Sequence, residues 1–344
     1  MRRSTLIVLL CLPLLGFGLI AGWITWMERH PDLERELRVA AQEQLEEWFP
    51  EAMTLPPELI GFHPPSEAAA EGAAPDVVLV HGLDEPGGIW EESIAALSAA
   101  GLEAWEFRYP NDQAVDHSAD LLAEYWEALD SDSPVFLVGH SMGGLLIRDF
   151  VTRWRHPGPK DGRVSGPAVA GVILVATPNQ GSEWARLRAW LELREWATDI
   201  PEGRFSLFAS LRDGTGAAKV DLRPGSRFLT ELNARPWPED VPVFLIGGRL
   251  TEPTPDMLEG LDDLADQLGI DDLRTRVEDF WRDTGEGLGD GAVAVASLEW
   301  EDGPDPVILP ASHRGLLVRL PFSEGDPPAV ELIVDQIREW RDRP

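Results

Sequence analysis

Cysteine is almost missing from this 344-residue chain. The only one, Cys11, lies in an N-terminal apolar run, so the folded part can form neither an intramolecular disulfide nor a cysteine-ligated metal site. Thiol redox chemistry therefore finds no support. Lysine is nearly as scarce, with Lys160 and Lys219 alone, and arginine carries the rest of the positive charge. Sixty acidic residues against 29 basic ones leave a formal net charge of −31. Such a surface repels phosphate backbones, so nucleic acid is not expected as a partner. It stays soluble by self-repulsion and suits a salty or extracytoplasmic setting, but says nothing about a reaction. No cofactor and no metal are called for. The length allows one large core or two modest ones.

One long apolar run is present. Arg2 and Arg3 precede a stretch from Leu6 to Met27 that is long enough to span a bilayer. A cleaved secretory signal also has a basic start and an apolar middle, and the chain would then be secreted. The run is long for a signal, no clear A-x-A site follows, and Trp23 and Trp26 sit where an aromatic belt would mark the far interface. Residues 1–29 are thus read as a single-pass anchor with the rest of the chain outside the cytoplasm, the arginines marking the cytoplasmic end. Pro31 to Phe49 has the period of an amphipathic helix, with Leu33, Leu37, Ala41, Leu45 and Trp48 on one stripe. It is expected to continue as a stalk or to pack on the domain; an interfacial membrane role is the weaker reading, since the polar face is rich in Glu and not in Lys. From Pro50 to Pro75 the composition shifts to Pro, Ala, Glu and Gly and reads as a linker, so 30–75 joins anchor to domain.

From Asp76 to the C-terminus, apolar runs alternate with helical patterns. Val77 to Val80, Ala104 to Tyr109, Val135 to Val138, Gly171 to Ala176, Val241 to Gly247 and Pro306 to Leu309 read as strands. Helical stretches run to Ala100, from Val115 to Leu129, from just beyond Gly144 and from Pro328 to Trp340. That rhythm predicts an α/β domain over 76–344 with a mostly parallel sheet flanked by helices. Two segments interrupt it. One, 182–233, is rich in tryptophan and lid-like; the other, 253–284, is acidic and read as packing helices.

The chemistry centres on P-V-F-L-V-G-H-S-M-G-G, Pro134 to Gly144. A buried strand turns there into a helix, with Ser141 at the apex and Gly139 and Gly143 two residues to either side, the G-x-S-x-G elbow. The backbone passes close to itself at such a corner, so its neighbours must lack bulk. A serine hydroxyl is a weak nucleophile and needs a base oriented by an acid, in the chain order Ser, acid, His. Only His156 and His313 follow Ser141. His156 ends the helix that starts at the elbow, roughly 20 Å away at 1.5 Å per residue, which leaves His313. For the acid, Asp290 in G-L-G-D-G-A-V is preferred, with Glu252 and Asp256 as rivals. The oxyanion donors are expected from the backbone N–H groups of Met142 and of Leu83, which follows His81-Gly82. His81 is read as holding that loop.

V-L-V-H-G-L, V-G-H-S-M-G-G, A-T-P-N-Q-G-S, G-D-G-A-V and the later S-H resemble the α/β-hydrolase lipases and esterases, including the group of the glycosylphosphatidylinositol-anchor deacylase. The likeness spans about Asp76 to Trp340. It implies an α/β-hydrolase fold, with a sheet reduced because little chain precedes Asp76. It further implies Ser141 as nucleophile, Asp290 as acid, His313 as base, and Leu83 and Met142 as oxyanion donors. No calcium site carries over, since Arg314 follows His313. The expected activity is hydrolysis of carboxylic esters, with an apolar or lipid ester as substrate and the membrane as partner through the N-terminal helix. The alternative is a catalytically silent hydrolase fold serving as a binding or assembly factor in the cell envelope.

Overall fold

Val77, Val78, Leu79 and Val80 form β2 (Val77–Val80), and all four side chains are buried. A strand buried on both faces needs helices on both, and the packing supplies them. Val77 and Leu79 join a core with Leu97 of α3 (Glu91–Ala99) and with Ile333 and Ile337 of α8 (Pro328–Arg341). Val78 and Val80 face the other way, toward Val115 and Leu122 of α4 (Val115–Trp126), Leu145 and Leu146 of α5 (Met142–Asp149) and Leu229 of α7 (Arg227–Asn233). This computed structural model describes residues 22, 25–27, 29–53, 55–65, 74–83, 85, 88–129, 133–156, 164–183, 215–250, 274–275, 288–320 and 325–343.

Among these residues the sheet has seven strands in the order β1-β3-β2-β4-β5-β6-β7. β3 (Ala104–Arg108), β4 (Val135–His140), β5 (Val169–Val175), β6 (Val243–Arg249) and β7 (Val307–Pro310) run parallel with β2. β1 (Gly61–His63) pairs antiparallel with β3 at one edge, so the chain enters the sheet before Asp76. This corrects the reading of Pro50 to Pro75 as linker alone. That stretch also carries the short helix α2 (Pro50–Met53) and a 3-10 turn at Pro57–Leu59. Three residues are too few to show the alternation that marks a strand.

The helix expected over Pro31 to Phe49 is α1 (Pro31–Trp48). It packs on the domain, but by its charged side. Arg35 bridges Asp116 and Asp221, each at 2.6 Å, while the buried Glu34 takes Arg223 at 2.8 Å and Arg38 at 3.0 Å. Arg38 and Thr215 exchange side chain to backbone hydrogen bonds. Asp221 belongs to α6 (Ala217–Asp221), which packs beside α1 at the far end of the lid-like segment. The apolar stripe of α1 is left facing outward.

Most of the apolar run from Leu6 to Met27, residues 184–214 of the lid-like segment and nearly all of 253–284 lie outside the described residues. Among the described residues no helix is long and apolar enough to cross a membrane.

Candidate functional site

β4 ends at His140 and α5 begins at Met142, so Ser141 alone makes the turn. Its φ of 53° and ψ of −126° put it in a region that L-residues rarely adopt; among the described residues Ala176 is the other non-glycine with positive φ. The neighbours explain how the corner closes. A Cβ on Gly139 would lie 2.6 Å from Gly144 Cα, and one on Gly143 would enter the carbonyl oxygens of Val80 and His81. The Ser141 amide donates to Val175 O at 2.8 Å, which ties the apex to β5.

The His81-Gly82-Leu83 loop runs alongside. A Cβ on Gly82 would come within 2.8 Å of Ser141 Cβ and 3.3 Å of its Oγ. His81 stacks on Tyr109 at 4.5 Å, its Nδ1 lies 3.0 Å from Gly82 O, and Tyr109 Oη donates to His81 O at 2.6 Å. These contacts tie His81 to Tyr109 and to its own loop. Met142 opens α5, where the first amides have no acceptor within the helix. The loop and the helix start therefore border the serine from two sides. Beside the loop opens a cavity of about 1150 Å³ with His81, Ile89, Trp90, Ile94, Leu102 and Tyr109 in its wall.

The acid and the base meet. Asp290 is buried, and its Oδ2 accepts from His313 Nδ1 at 2.8 Å. Its Oδ1 accepts from the amides of Ala292 and Val293 at 2.9 and 2.8 Å, and its carbonyl takes the His313 amide at 2.9 Å. Gly289 and Gly291 flank it with φ of 54° and 96°, the left-handed conformation that a turn this tight requires. On β6, Gly248 makes room. A Cβ there would lie 2.6 Å from Ala311 O and 2.8 Å from Asp290 Cβ, so side-chain bulk would part the aspartate loop from the histidine loop. The rivals Glu252 and Asp256 lie outside the described residues. His156 stands beyond a π-helical turn (Phe150–Arg155), 4.0 Å from Asp240.

Sequence reasoning passed over His140, which joins the two halves. Its ring lies 4.6 Å from that of His313, and its Nε2 is 3.2 Å from His313 O, so the residue before the serine carries the loop of the base. Its Nδ1 is buried without a partner among the described residues, and Trp90 meets the ring edge-on. Burial, and then the neighbouring His313, push the His140 pKa well below the ordinary histidine value. The ring is neutral in the fold, while an unfolded chain takes up a proton below pH 6.5 or so, which makes stability fall as pH falls through that value. Between pH 7.5 and 5.5 the loss from this one residue is on the order of 1 kcal/mol. Urea unfolding of wild type and His140→Gln at both pH values should show the variant losing less by that amount.

A second group that the sequence did not reveal braces the acid loop. The T-P-N-Q-G turn after β5 donates from Asn179 Nδ2 to Leu298 O, from the Gln180 amide to Ser297 O and from Gln180 Nε2 to Glu299 O, and Ser182 Oγ donates to Ala292 O. Asn179 Oδ1 and Asn233 Oδ1 each accept from the buried Arg148 at 2.9 Å, and its guanidinium lies 4.1 Å over the Trp300 ring. Burial pushes Arg148 down to about 9, which still leaves it charged at neutral pH. The motif A-T-P-N-Q-G-S was visible in the sequence, but its partners lie 31 to 119 residues away. Nearer the base, Arg314 grips both oxygens of Glu85 at 2.5 and 2.6 Å, linking the loop after β7 to the loop after β2.

Chemically, an imidazole held at Nδ1 by a carboxylate keeps its proton there and leaves Nε2 able to accept one. Residues 77–343 match the family described as "Alpha/beta hydrolase family". A search of curated protein sequences finds no match. Solved structures with a similar chain path include the mature lipase of Bacillus licheniformis, 18% identical over 71% of this chain and 86% of that one, with a TM-score of 0.43. The Staphylococcus hyicus lipase is 14% identical over 77% and 94%, with a TM-score of 0.47. A metagenomic carboxyl esterase is 16% identical over 79% and 77%, with a TM-score of 0.49. The family match does not reach down to the glycosylphosphatidylinositol deacylase group.

Proposed function

Because the chain belongs to the alpha/beta hydrolase family, we propose that it is a serine hydrolase that cleaves carboxylic esters through an acyl-enzyme. The observation that carries the reading is a serine at φ 53° together with a half-buried His313 that is held by the buried Asp290 and packed on His140, the residue before that serine. Ser141 Oγ attacks the ester carbonyl while His313 Nε2 takes its proton, and the resulting oxyanion is met by the amides of Met142 and Leu83. The C–O bond to the alcohol breaks as His313 returns the proton to it. Water then attacks the acyl-serine, again giving its proton to His313, and the acid leaves as Ser141 is restored. Asp290 fixes the tautomer throughout. The cavity beside His81, whose wall mixes Ile89, Trp90, Ile94 and Leu102 with Glu85, Glu91, Glu106 and Arg108, is assigned to the acyl chain in this reading.

A silent scaffold has no use for a strained serine or for an acid saturated with hydrogen bonds around one imidazole. The test is a fluorophosphonate probe, which reacts only with an activated serine. Wild type should be labelled and should turn over p-nitrophenyl esters, and Ser141→Ala should do neither. Labelling that survives Ser141→Ala, or no labelling of folded wild type, would overturn the proposal. The same reading keeps residues 6–27 as a bilayer anchor with the domain extracytoplasmic, which carbonate extraction of membranes examines.

A further inference from the structure

The outward stripe of α1 is held open by the way the helix is docked. Leu33, Leu37, Trp48 and the following Phe49 are 41, 47, 66 and 44% exposed. Rolling α1 to bury them would pull Glu34, Arg35 and Arg38 away from Arg223, Asp221, Asp116 and Thr215, and would leave charges unpaired inside. The ion pairs thus fix which face looks out. Such a stripe along one helix is more than the scattered apolar exposure of an ordinary surface.

Two further observations identify what covers it. The apolar run Leu6 to Met27 is separated from the start of α1 only by the three residues 28–30, so whatever holds that run lies beside this helix. And α1 sits on the catalytic edge of the sheet. Asp116 opens α4 after the C-terminal end of β3, and Leu222 O, next to Asp221 and Arg223, accepts from the Ser182 amide after the C-terminal end of β5. Ser141 and His313 stand at the same edge, after β4 and β7.

We infer that α1 is an interfacial helix, its Leu33, Leu37, Trp48 and Phe49 lying in the surface of the bilayer that holds residues 6–27, so that the catalytic edge faces lipid and the ester is a bilayer-resident one. This rests on the anchoring and hydrolase reading above. The acidic residues exposed on α1, Glu36, Glu43, Glu46 and Glu47, favour zwitterionic over anionic headgroups.

The experiment uses the full chain with Cys11→Ser, reconstituted in phosphatidylcholine vesicles. A single cysteine replaces Leu37, Trp48 or, as a control on the opposite face of the sheet, the exposed Asp335, and carries an environment-sensitive fluorophore. Lipids bearing a quencher in the upper acyl chain should quench the labels at 37 and 48 at least threefold more than the label at 335. Equal quenching at the three sites overturns the inference. So does a label at 37 shielded from lipid but self-quenched until unlabelled protein is added, which would assign the stripe to a second copy. Carbonate extraction of the same vesicles separates the two readings. Retained protein with an unquenched stripe sinks the interfacial helix alone, and released protein with a quenched stripe upholds it while sinking the anchor.

Discussion

Replacing Asp290 by Asn should lower kcat on a soluble ester by about four orders of magnitude while the protein stays folded. Asp290 is surrounded by donors only: Ala292 and Val293 amides on Oδ1, His313 Nδ1 on Oδ2. Asn can keep the two backbone bonds with its carbonyl oxygen, which turns its NH2 toward the imidazole. His313 Nδ1 must then accept, its proton moves to Nε2, and the nitrogen proposed to serve Ser141 can no longer take a proton. The base is in place in the wrong tautomer. The shape and the loop are nearly unchanged, so the unfolding midpoint should move by only a few degrees, roughly the 1 kcal/mol of one hydrogen bond. A loss of less than tenfold in kcat would remove Asp290 from the mechanism and reopen the matter for Glu252 and Asp256.

The contact between Asp290 and His313 could be anticipated because chain order restricts the choice. Few histidines follow the serine, and a Gly-Asp-Gly turn before the last strand offers a carboxylate on a tight backbone. Strands β2 to β7 were legible for a similar reason, since apolar runs bounded by glycine leave few other conformations. The residues that escaped share a physical cause. His140 looks like any residue ending a buried strand, and its role comes from a ring and a carbonyl 173 positions later. Arg148 lies on a helix every residue of which is buried, where an arginine is out of place until Asn179, Asn233 and Trp300 close around it. For α1 the period correctly gave a helix, but periodicity presumes that the apolar stripe goes inward. Partners for Arg35 and Glu34 that lie 81 to 189 residues away decided otherwise. Local pattern fixes local conformation; the direction a helix faces depends on charges that only the fold brings together.

Adding a single methyl group at Gly143 should cost far more than the same change at an exposed glycine. The Cβ of Gly143→Ala would enter the carbonyl oxygens of Val80 and His81, which belong to the end of β2 and to the loop beside the serine. Neither can retreat easily. Val80 is fully buried in the middle of the sheet, and His81 is pinned by Tyr109 from the carbonyl side and by stacking. Relief must come from moving α5 off β2, which opens the core around Leu145 and Met142, at a cost of roughly 3 kcal/mol or more. In a domain this size that corresponds to a fall in midpoint of about 6 to 12 °C. Gly101→Ala is the comparison. No atom lies within 4 Å of its would-be Cβ, so only the φ of 74° resists the methyl, roughly 1 kcal/mol. Thermal unfolding of the two variants should separate them by several degrees, and Gly143→Ala should also lose ester turnover, because the displaced helix start carries the Met142 amide away from the carbonyl it is proposed to meet. Equal midpoints would mean that the corner is held more loosely than a strained serine requires, and the nucleophile elbow would lose its mechanical basis.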